Sequence, residues 1–169
     1  LTDKPYFQGD DGYLAQIRDK VQLPLLRKEF IIDPIQIEQS KALGADAILL
    51  IKAILTTEKC QQLLKKGREC GLDVLIEIHS LEELEAISDL QHVQMIGVNN
   101  RNLHDFTVSI ERAQSLFPEI RKKWTDMVVV AESGYQNRQD LEVLADVGFD
   151  AVLIGEGLAK SPDLIHYFS

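Results

Sequence analysis

Six short apolar runs alternate along the chain with longer amphipathic segments, and this alternation limits the folds open to it. The runs cover residues 23–26, 47–51, 74–78, 95–98, 127–131 and 151–154. Because they are apolar throughout, they predict strands that are buried on both faces of a sheet. Strands that alternate with helices are typical of βαβ units, so we expect an α/β fold with a parallel sheet.

The segments between the runs carry helix start and stop signals. The expected starts are Asp33 with Pro34, Thr56 or Thr57, Ser80 with Glu83, and Asn137 with Asp140, and the expected ends are Gly44, Gly71, Leu90 and Gly148. Pro34 suits a first helical turn, and Ser80 with Glu83 has the spacing of a capping box. These signals predict a helix after each of four strands.

A polar residue or a glycine ends or follows each apolar run. These residues are Lys28, Lys52, Glu77, Asn99, Glu132 and Gly155, at intervals of 24, 25, 22, 33 and 23 residues, one βα unit each. Ligands bind at the carboxyl ends of parallel strands. Six such ends favour a (β/α)8 barrel over an open sheet, which would show one or two. About six of the eight units fit in 169 residues, so we expect an incomplete TIM barrel in a single domain, residues 1–169.

The charge balance and the cysteines argue against several other classes. The chain has 27 acidic and 18 basic residues and a net charge of −9, which argues against nucleic acid or an anionic membrane as a partner. No run reaches the ~18 apolar residues of a membrane span, and neither end resembles a targeting segment. Cys60 and Cys70 lie in one predicted helix, ~15 Å apart along its axis, so we expect free thiols. No cysteine–histidine spacing suits a metal.

Six ordered and consistently spaced motifs resemble those of the indole-3-glycerol phosphate synthases. They are Leu26-Arg27-Lys28-Glu29-Phe30-Ile31-Ile32-Asp33-Pro34, Gly44-Ala45-Asp46-Ala47-Ile48-Leu49-Leu50-Ile51, Glu77-Ile78-His79, Ile96-Gly97-Val98-Asn99-Asn100-Arg101, Ala131-Glu132-Ser133-Gly134 and Leu153-Ile154-Gly155-Glu156. The resemblance covers essentially the whole chain. Any one of the motifs alone would be weak, and as a set they are specific.

The resemblance implies a fold, an activity and a location. The fold is a (β/α)8 barrel of which strands 3 to 8 are present. The first strand, with a further catalytic lysine and glutamate, is expected to be absent from this chain. The activity is that of a carboxy-lyase of tryptophan biosynthesis, which closes the pyrrole ring of 1-(2-carboxyphenylamino)-1-deoxyribulose 5-phosphate and releases carbon dioxide and water. No metal or organic cofactor is implied, and the expected location is the cytoplasm, or the plastid for a plant protein.

Lys28 and Glu77 are the candidate general acid and general base. The Lys28 ammonium would protonate the substrate ketone and then assist departure of the hydroxyl; a solvated lysine at a strand end is the plain alternative. Glu77 would remove the proton whose loss makes the indole aromatic. A carboxylate in an apolar strand is costly unless it is paired or functional, so a core ion pair is its alternative. His79, two residues later, is more often structural in such a place.

The resemblance also implies a second group of site residues. The catalytic set adds Asn99, Glu132 and Ser133, and the substrate-binding set is Phe30, Arg101, Ser133, Gly134, Gly155, Glu156 and Gly157. Phosphate sites of such barrels use the loops after the last two strands. Phe30 would pack on the anthranilate ring, and Arg101 would either pair with an anion or brace a loop. Gly157 departs from the family, where serine or alanine is common.

Three further features have open or plain interpretations. Lys52 is another departure, and it either adds positive potential for a dianionic substrate or is solvated. Trp124 is expected to cover a helix end. Lys65, Lys66 and Arg68 are expected to form a solvated helix face.

Two other functions remain open from the sequence. The first is a catalytically incompetent barrel fragment that binds phosphate weakly or serves as an assembly unit, because a missing strand leaves open sheet edges that pair with other chains. The second is a phosphoribosylanthranilate isomerase, which would want a cysteine–aspartate pair at strand ends, where neither cysteine lies. The expected partner is a phosphorylated small molecule, with self-association through the open edges.

Overall fold

The computed structural model describes residues 1–102 and 107–168. Its helices are α1 (Lys4–Phe7), α2 (Gly12–Arg18), α3 (Pro34–Ala42), α4 (Thr57–Glu69), α5 (Leu81–Ala86), α6 (Glu111–Lys123), α7 (Arg138–Val147) and α8 (Glu156–Lys160), with 3₁₀ turns at Lys52–Ile54 and Pro162–Phe168. Its strands are β1 (Leu26–Arg27), β2 (Ala47–Ile51), β3 (Asp73–Ile78), β4 (Met95–Asn99), β5 (Val128–Glu132) and β6 (Ala151–Leu153). Within these residues a helix follows each strand, which confirms the predicted α/β class with six βα units.

The chain forms two compact units. The first comprises residues 1–77 and 89–94, and the second comprises the described residues of 78–88 and from 95 onward. That the chain is one domain stays a prediction.

In the first unit, β1, β2 and β3 pair in parallel in chain order. Leu26 lies beside Ala47, and Ala47 lies beside Asp73. The core consists of strand and helix side chains such as Ile48, Ile76 and Leu63, which are fully buried. Burial on both faces explains why these strands are apolar throughout.

In the second unit, β4, β5 and β6 also pair in parallel. Gly97 lies beside Val130, and Val130 lies beside Ala151. Ala131 and Leu144 are buried together in the core, and Phe149 packs against them. The central strand β5 is buried except at its first residue, whereas Ala151 of β6 is exposed.

Side-chain caps fix the helix starts as predicted. Asp33 caps α3, Thr56 caps α4, and Asn137 caps α7 in a reciprocal box with Asp140. Ser80 accepts the Glu83 N–H, but no reciprocal bond completes the expected box. The helix ends differ: α5 stops at Ala86, four residues before the predicted end at Leu90, and the other three stop one or two residues before their glycines.

The first strand lies later in the chain than predicted. The run at 23–26 was expected to form it, but β1 is Leu26–Arg27, and Leu23 is 70% exposed. Pro24 has no N–H to offer a ladder. The Leu25 N–H binds the Asp46 carboxylate instead, at 2.7 Å. The paired strand therefore begins at Leu26, while Leu25 contributes only its carbonyl.

An aspartate–arginine clasp stands at the start of a strand in each unit. Asp46, just before β2, accepts the Leu25 N–H and pairs with Arg18. Asp150, just before β6, accepts the Val129 N–H at 2.8 Å and pairs with Arg121 at 2.6 Å. Each clasp fixes a strand start to its neighbour through a charge-assisted bond.

Three findings bear on the expected classes, all limited to residues 1–102 and 107–168. No helix there is long and apolar enough to cross a bilayer. No group of three histidine, cysteine or acidic side chains there is arranged to hold a metal ion. Cys60 lies within α4 and Cys70 directly follows it, and both are free thiols, as predicted.

Candidate active site

The first unit joins Lys28 and Glu77, the two candidate proton-transfer groups. Lys28 directly follows β1, and Glu77 is the fifth residue of β3. Lys28 Nζ donates to Glu77 Oε2 at 3.0 Å. The Glu77 side chain is 1% exposed and the Lys28 side chain 30%. A charge-assisted bond offsets the cost of burying the carboxylate, and the partly exposed ammonium can meet a ligand.

The residues on either side of Lys28 are firmly anchored. The Arg27 guanidinium is buried and donates to Ser40 Oγ at 3.0 Å and to Asp11 Oδ1 at 2.5 Å. Glu29 accepts the Thr2 hydroxyl at 2.5 Å and the N–H of Phe30 at 2.8 Å. Because side chains alternate along an extended segment, these anchors hold the backbone while Lys28 points the other way.

An aromatic cluster lies beside this strand end. Phe30 is half-buried. The Tyr6 ring meets it edge-on with ring centroids 5.9 Å apart, and the Phe7 ring stacks on it at 6.3 Å. Sequence reasoning gave no role to Tyr6 or Phe7. The only signal was an adjacent aromatic pair, and nothing local connected that pair with Phe30.

Lys52 does not continue the face of β2. The chain leaves the strand at Ile51 and enters a 3₁₀ turn, and Lys52 Nζ donates to the carbonyl of Leu55 at 2.8 Å. Lys52 thereby closes the turn ahead of α4. Lys52 therefore lies beyond the strand, in the turn that follows it.

In the second unit, Asn99 and Arg101 form a turn after β4. Asn99 is buried at the end of the strand, and its Oδ1 accepts the N–H of Arg101 at 2.9 Å. Arg101 reaches Glu156 with a nitrogen–oxygen distance of 3.4 Å. This contact favours the loop-bracing interpretation of Arg101, while its guanidinium stays one-third exposed.

A tight turn follows Glu132, which is buried at the end of β5. Ser133 and Gly134 both adopt left-handed backbone angles, with φ of 67° and 92°. A Cβ on Gly134 would lie 2.6 Å from Val108 Cγ1. Glycine is therefore required at 134 both by its backbone angle and by its packing.

Gly155 and Gly157, after β6, have opposite surroundings. A Cβ on Gly155 would meet nothing within 4 Å, whereas a Cβ on Gly157 would lie 2.4 Å from the carbonyl oxygen of Tyr135. The departure at 157 therefore has a packing reason. Between them, the exposed Glu156 carboxylate binds Lys160 at 2.7 Å, and this contact, with Arg101, lowers the pKa of Glu156.

The remaining candidates have structural contacts. His79 donates its backbone N–H to Glu83 at 2.8 Å, and its Nδ1 lies 3.4 Å from the same carboxylate. Lys65 is exposed as expected, but Lys66 is only 29% exposed and pairs with Glu38 of α3, so the expected solvated face is wrong at Lys66. Trp124 stands at the end of α6, as expected.

Asn100 and Tyr135 are buried polar residues that sequence reasoning passed over. The Asn100 Nδ2 donates to Tyr135 Oη at 2.7 Å and to the Ser133 carbonyl at 3.0 Å. Adjacent asparagines are common in ordinary turns. The partners of Asn100 lie 13 to 35 residues away, so nothing local in the sequence marks this residue.

Solved structures of other proteins share this fold. The chain resembles 3-hexulose-6-phosphate synthase from Salmonella typhimurium with a TM-score of 0.75, 15% identity, and coverage of 92% of this chain and 75% of that one. It resembles a tryptophan synthase chain from Pyrococcus furiosus with a TM-score of 0.68, 18% identity, and coverage of 89% and 64%. At such identities the likeness shows the fold alone, and it supports the predicted incomplete (β/α)8 type.

Sequence comparison identifies the family. The model of the family described as indole-3-glycerol phosphate synthase matches residues 1–168. The indole-3-glycerol phosphate synthase of Bacillus pumilus is 45% identical over 96% of this chain and 64% of its own length. That of Chloroherpeton thalassium is 46% identical over 99% of this chain and 63% of its own length. The chain thus spans slightly under two thirds of these relatives, and it belongs to the indole-3-glycerol phosphate synthase family.

Proposed function

We propose that this chain carries out the ring closure of 1-(2-carboxyphenylamino)-1-deoxyribulose 5-phosphate to indole-3-glycerol phosphate. The observation that carries the proposal is the bond of 3.0 Å between Lys28 Nζ and Glu77 Oε2. It joins a proton donor and a proton acceptor at strand ends, where the family's chemistry takes place. Membership of the family supports a carboxy-lyase.

The proposed reaction balances as follows. The ring carbon that bears the carboxylate bonds to the ketone carbon of the substrate, and the carboxylate leaves as carbon dioxide. The ketone oxygen receives two protons and leaves as water, and one proton is lost from the adjacent CH₂ group. The reaction therefore takes up one proton in total.

Lys28 and Glu77 each carry out part of these proton transfers. Lys28 protonates the ketone oxygen as the ring closes, takes up one proton from solvent, and donates it as the hydroxyl leaves as water, while Glu77 removes the CH₂ proton. Such positioned groups each contribute ~10²–10⁴ in rate. The anchored neighbours Arg27 and Glu29 keep Lys28 in place, which lowers the entropy lost on reaching the reactive geometry.

The two ends of the substrate need different surfaces. In our proposal Phe30, with Tyr6 and Phe7, packs on the anthranilate ring, because stacked and edge-on rings are favourable. Asn99 binds substrate hydroxyls, and Glu132 orients polar groups without touching the phosphate.

The phosphate is proposed to bind at the turns after β5 and β6. The Ser133 hydroxyl and the backbone N–H groups of Gly134, Gly155, Glu156 and Gly157 are its donors. Gly155 supports this, since a Cβ there would meet nothing within 4 Å and an anion has room to approach. The Glu156 carboxylate contributes by holding Arg101 and not by touching the phosphate.

The test is steady-state turnover of the substrate by this chain, followed through indole fluorescence, with Glu77→Gln. The matched control is Glu38→Gln, which alters the Lys66–Glu38 pair of the same unit, in which the glutamate side chain is 52% exposed. We expect turnover that is lost in Glu77→Gln and kept in Glu38→Gln. Equal turnover in both variants, or none in the unaltered chain, would contradict the proposal.

The alternative is an inactive assembly unit that would use β6, the last strand of the sheet in the second unit. We propose self-association through this strand as its mechanism, because edge strands offer unpaired backbone groups. Measuring the molecular mass in solution tests this: a stable monomer at all concentrations would rule out edge-driven assembly.

The bacterial relatives support a cytoplasmic location, and a plastid location is proposed only for a plant source.

A further inference from the structure

We infer that Asn100 is a positioning residue whose buried amide holds the 133–135 turn in the shape that binds the substrate phosphate. The inference deepens the proposed function and rests on it, because it presumes that the phosphate binds at Ser133 and Gly134. Asn100 itself is fully buried and would not touch the substrate.

All polar atoms of the Asn100 side chain are engaged with three partners. Nδ2 donates to the Ser133 carbonyl at 3.0 Å and to Tyr135 Oη at 2.7 Å. Oδ1 accepts the N–H of Ala113, in the first turn of α6, at 3.0 Å. The reverse orientation of the amide would set Nδ2 against the Ala113 N–H and Oδ1 against the Ser133 carbonyl, so the partners fix its orientation.

The turn needs such a restraint. Ser133 has a φ of 67°, in the left-handed region that a non-glycine residue adopts at a cost. Gly134 follows with a φ of 92°. The amide of Asn100 satisfies the Ser133 carbonyl only in this conformation, so its loss would free the backbone to relax and move the proposed phosphate donors.

Tyr135 extends the restraint to the next loop. Burial raises the pKa of its phenol to about 12, so the hydroxyl stays neutral and can keep its bond with Asn100. The carbonyl oxygen of Tyr135 lies 2.4 Å from the place a Cβ on Gly157 would take. The position of the 133–135 turn therefore also sets the position of Gly157, a second proposed phosphate donor.

Titration with inorganic phosphate tests the inference on the full chain. The amide NMR signal of Gly134 reports the Kd for phosphate in the unaltered chain and in two variants, Asn100→Ala and Asn100→Asp. The aspartate keeps the size and the acceptor oxygen of the asparagine but lacks the two hydrogens on Nδ2. We expect both variants to bind about tenfold more weakly or worse, as loss of a buried hydrogen bond implies. The matched control is Asn137→Ala, which loses the cap of α7, and its Kd should change less than about twofold.

A second readout needs no phosphate. The φ-sensitive three-bond couplings of Ser133 should change in Asn100→Asp and stay unchanged in Asn137→Ala, whatever the loss of stability. Unchanged couplings with unchanged Kd in a folded Asn100 variant would overturn the inference. If the unaltered chain fails to bind phosphate, the proposed phosphate site fails, while the couplings still show whether Asn100 holds the turn.

Discussion

The carboxylate of Asp46 accepts the backbone N–H of Leu25 at 2.7 Å, so the residue before β2 holds the residue before β1. Arg18 completes this clasp, donating to the same Asp46 oxygen and to the carbonyl of Gly44. The Asp150 clasp, with Arg121 and Val129, does the same for β5 and β6. In each unit the aspartate also donates its own backbone N–H to the facing carbonyl, of Leu25 or Val129, so the carboxylate adds a second bond at the start of the parallel ladder.

Asp46→Asn should lower the stability of the chain in a pH-dependent way. The Leu25 N–H, with a smaller effect of Arg18, holds the pKa of Asp46 below its ordinary value of 3.8. Because this pKa is lower in the folded than in the unfolded chain, the Asp46 carboxylate stabilises the folded state at pH values above 3.8. The stabilisation is lost as the pH falls through the pKa of the folded state. Thermal melts of both proteins should therefore differ at neutral pH and converge in acid; a difference that persists at the lowest pH would contradict this.

Gly157→Ala should destabilise the chain while Gly155→Ala should not. A Cβ at 157 would press on the backbone carbonyl of Tyr135, which cannot rotate away, and such overpacking costs about 1–3 kcal/mol. The Cβ at 155 has open space. Urea unfolding measures the free energies, and equal losses in the two variants would show that the Tyr135 contact is not limiting.

The two thiols should differ in reactivity. Burial raises the pKa of Cys60 to about 11, and the thiolate is the reactive form. Cys70 is half-buried at the end of α4. A disulfide reagent at pH 8 should therefore modify Cys70 first in the folded chain and both thiols in denaturant. Equal rates in the folded chain would mean that α4 opens readily.

Lys28→Ala should reduce turnover by ~10²–10⁴, the range for a positioned proton donor. Lys66→Ala is its control, since Lys66 has a similar side-chain exposure and also pairs with a glutamate, but that glutamate, Glu38, is 52% exposed. The measurement is kcat in an intact, active enzyme. A loss under tenfold would remove Lys28 from the acid role.

Local signals in the sequence predicted the elements well where the cause is local. Asp33, Thr56 and Asn137 cap helices as expected, because a cap acts within four residues. The first strand was misplaced because the partner of Leu25 is Asp46, 21 residues away. Long-range bonds of this kind leave no periodic trace.

Residues of the candidate site were likewise predictable from the sequence only where the signal is local. Glu77 was conspicuous because a carboxylate in an apolar strand is costly, but its bond to Lys28 joins residues 49 positions apart. Asn100 has no comparable signal, because a pair of asparagines is common in turns. Its three partners, at 113, 133 and 135, come together only in the fold.

The contact between Lys28 and Glu77 also bears on how the enzyme would reset between turnovers. In the proposed reaction the carboxylate ends the cycle protonated and the amine ends it deprotonated. Transfer of a proton from Glu77 to Lys28 across 3.0 Å restores the charges of both side chains in one step. No relay through bulk water is needed for this step. Solvent then needs to supply only the one proton that decarboxylation consumes, through the partly exposed end of Lys28.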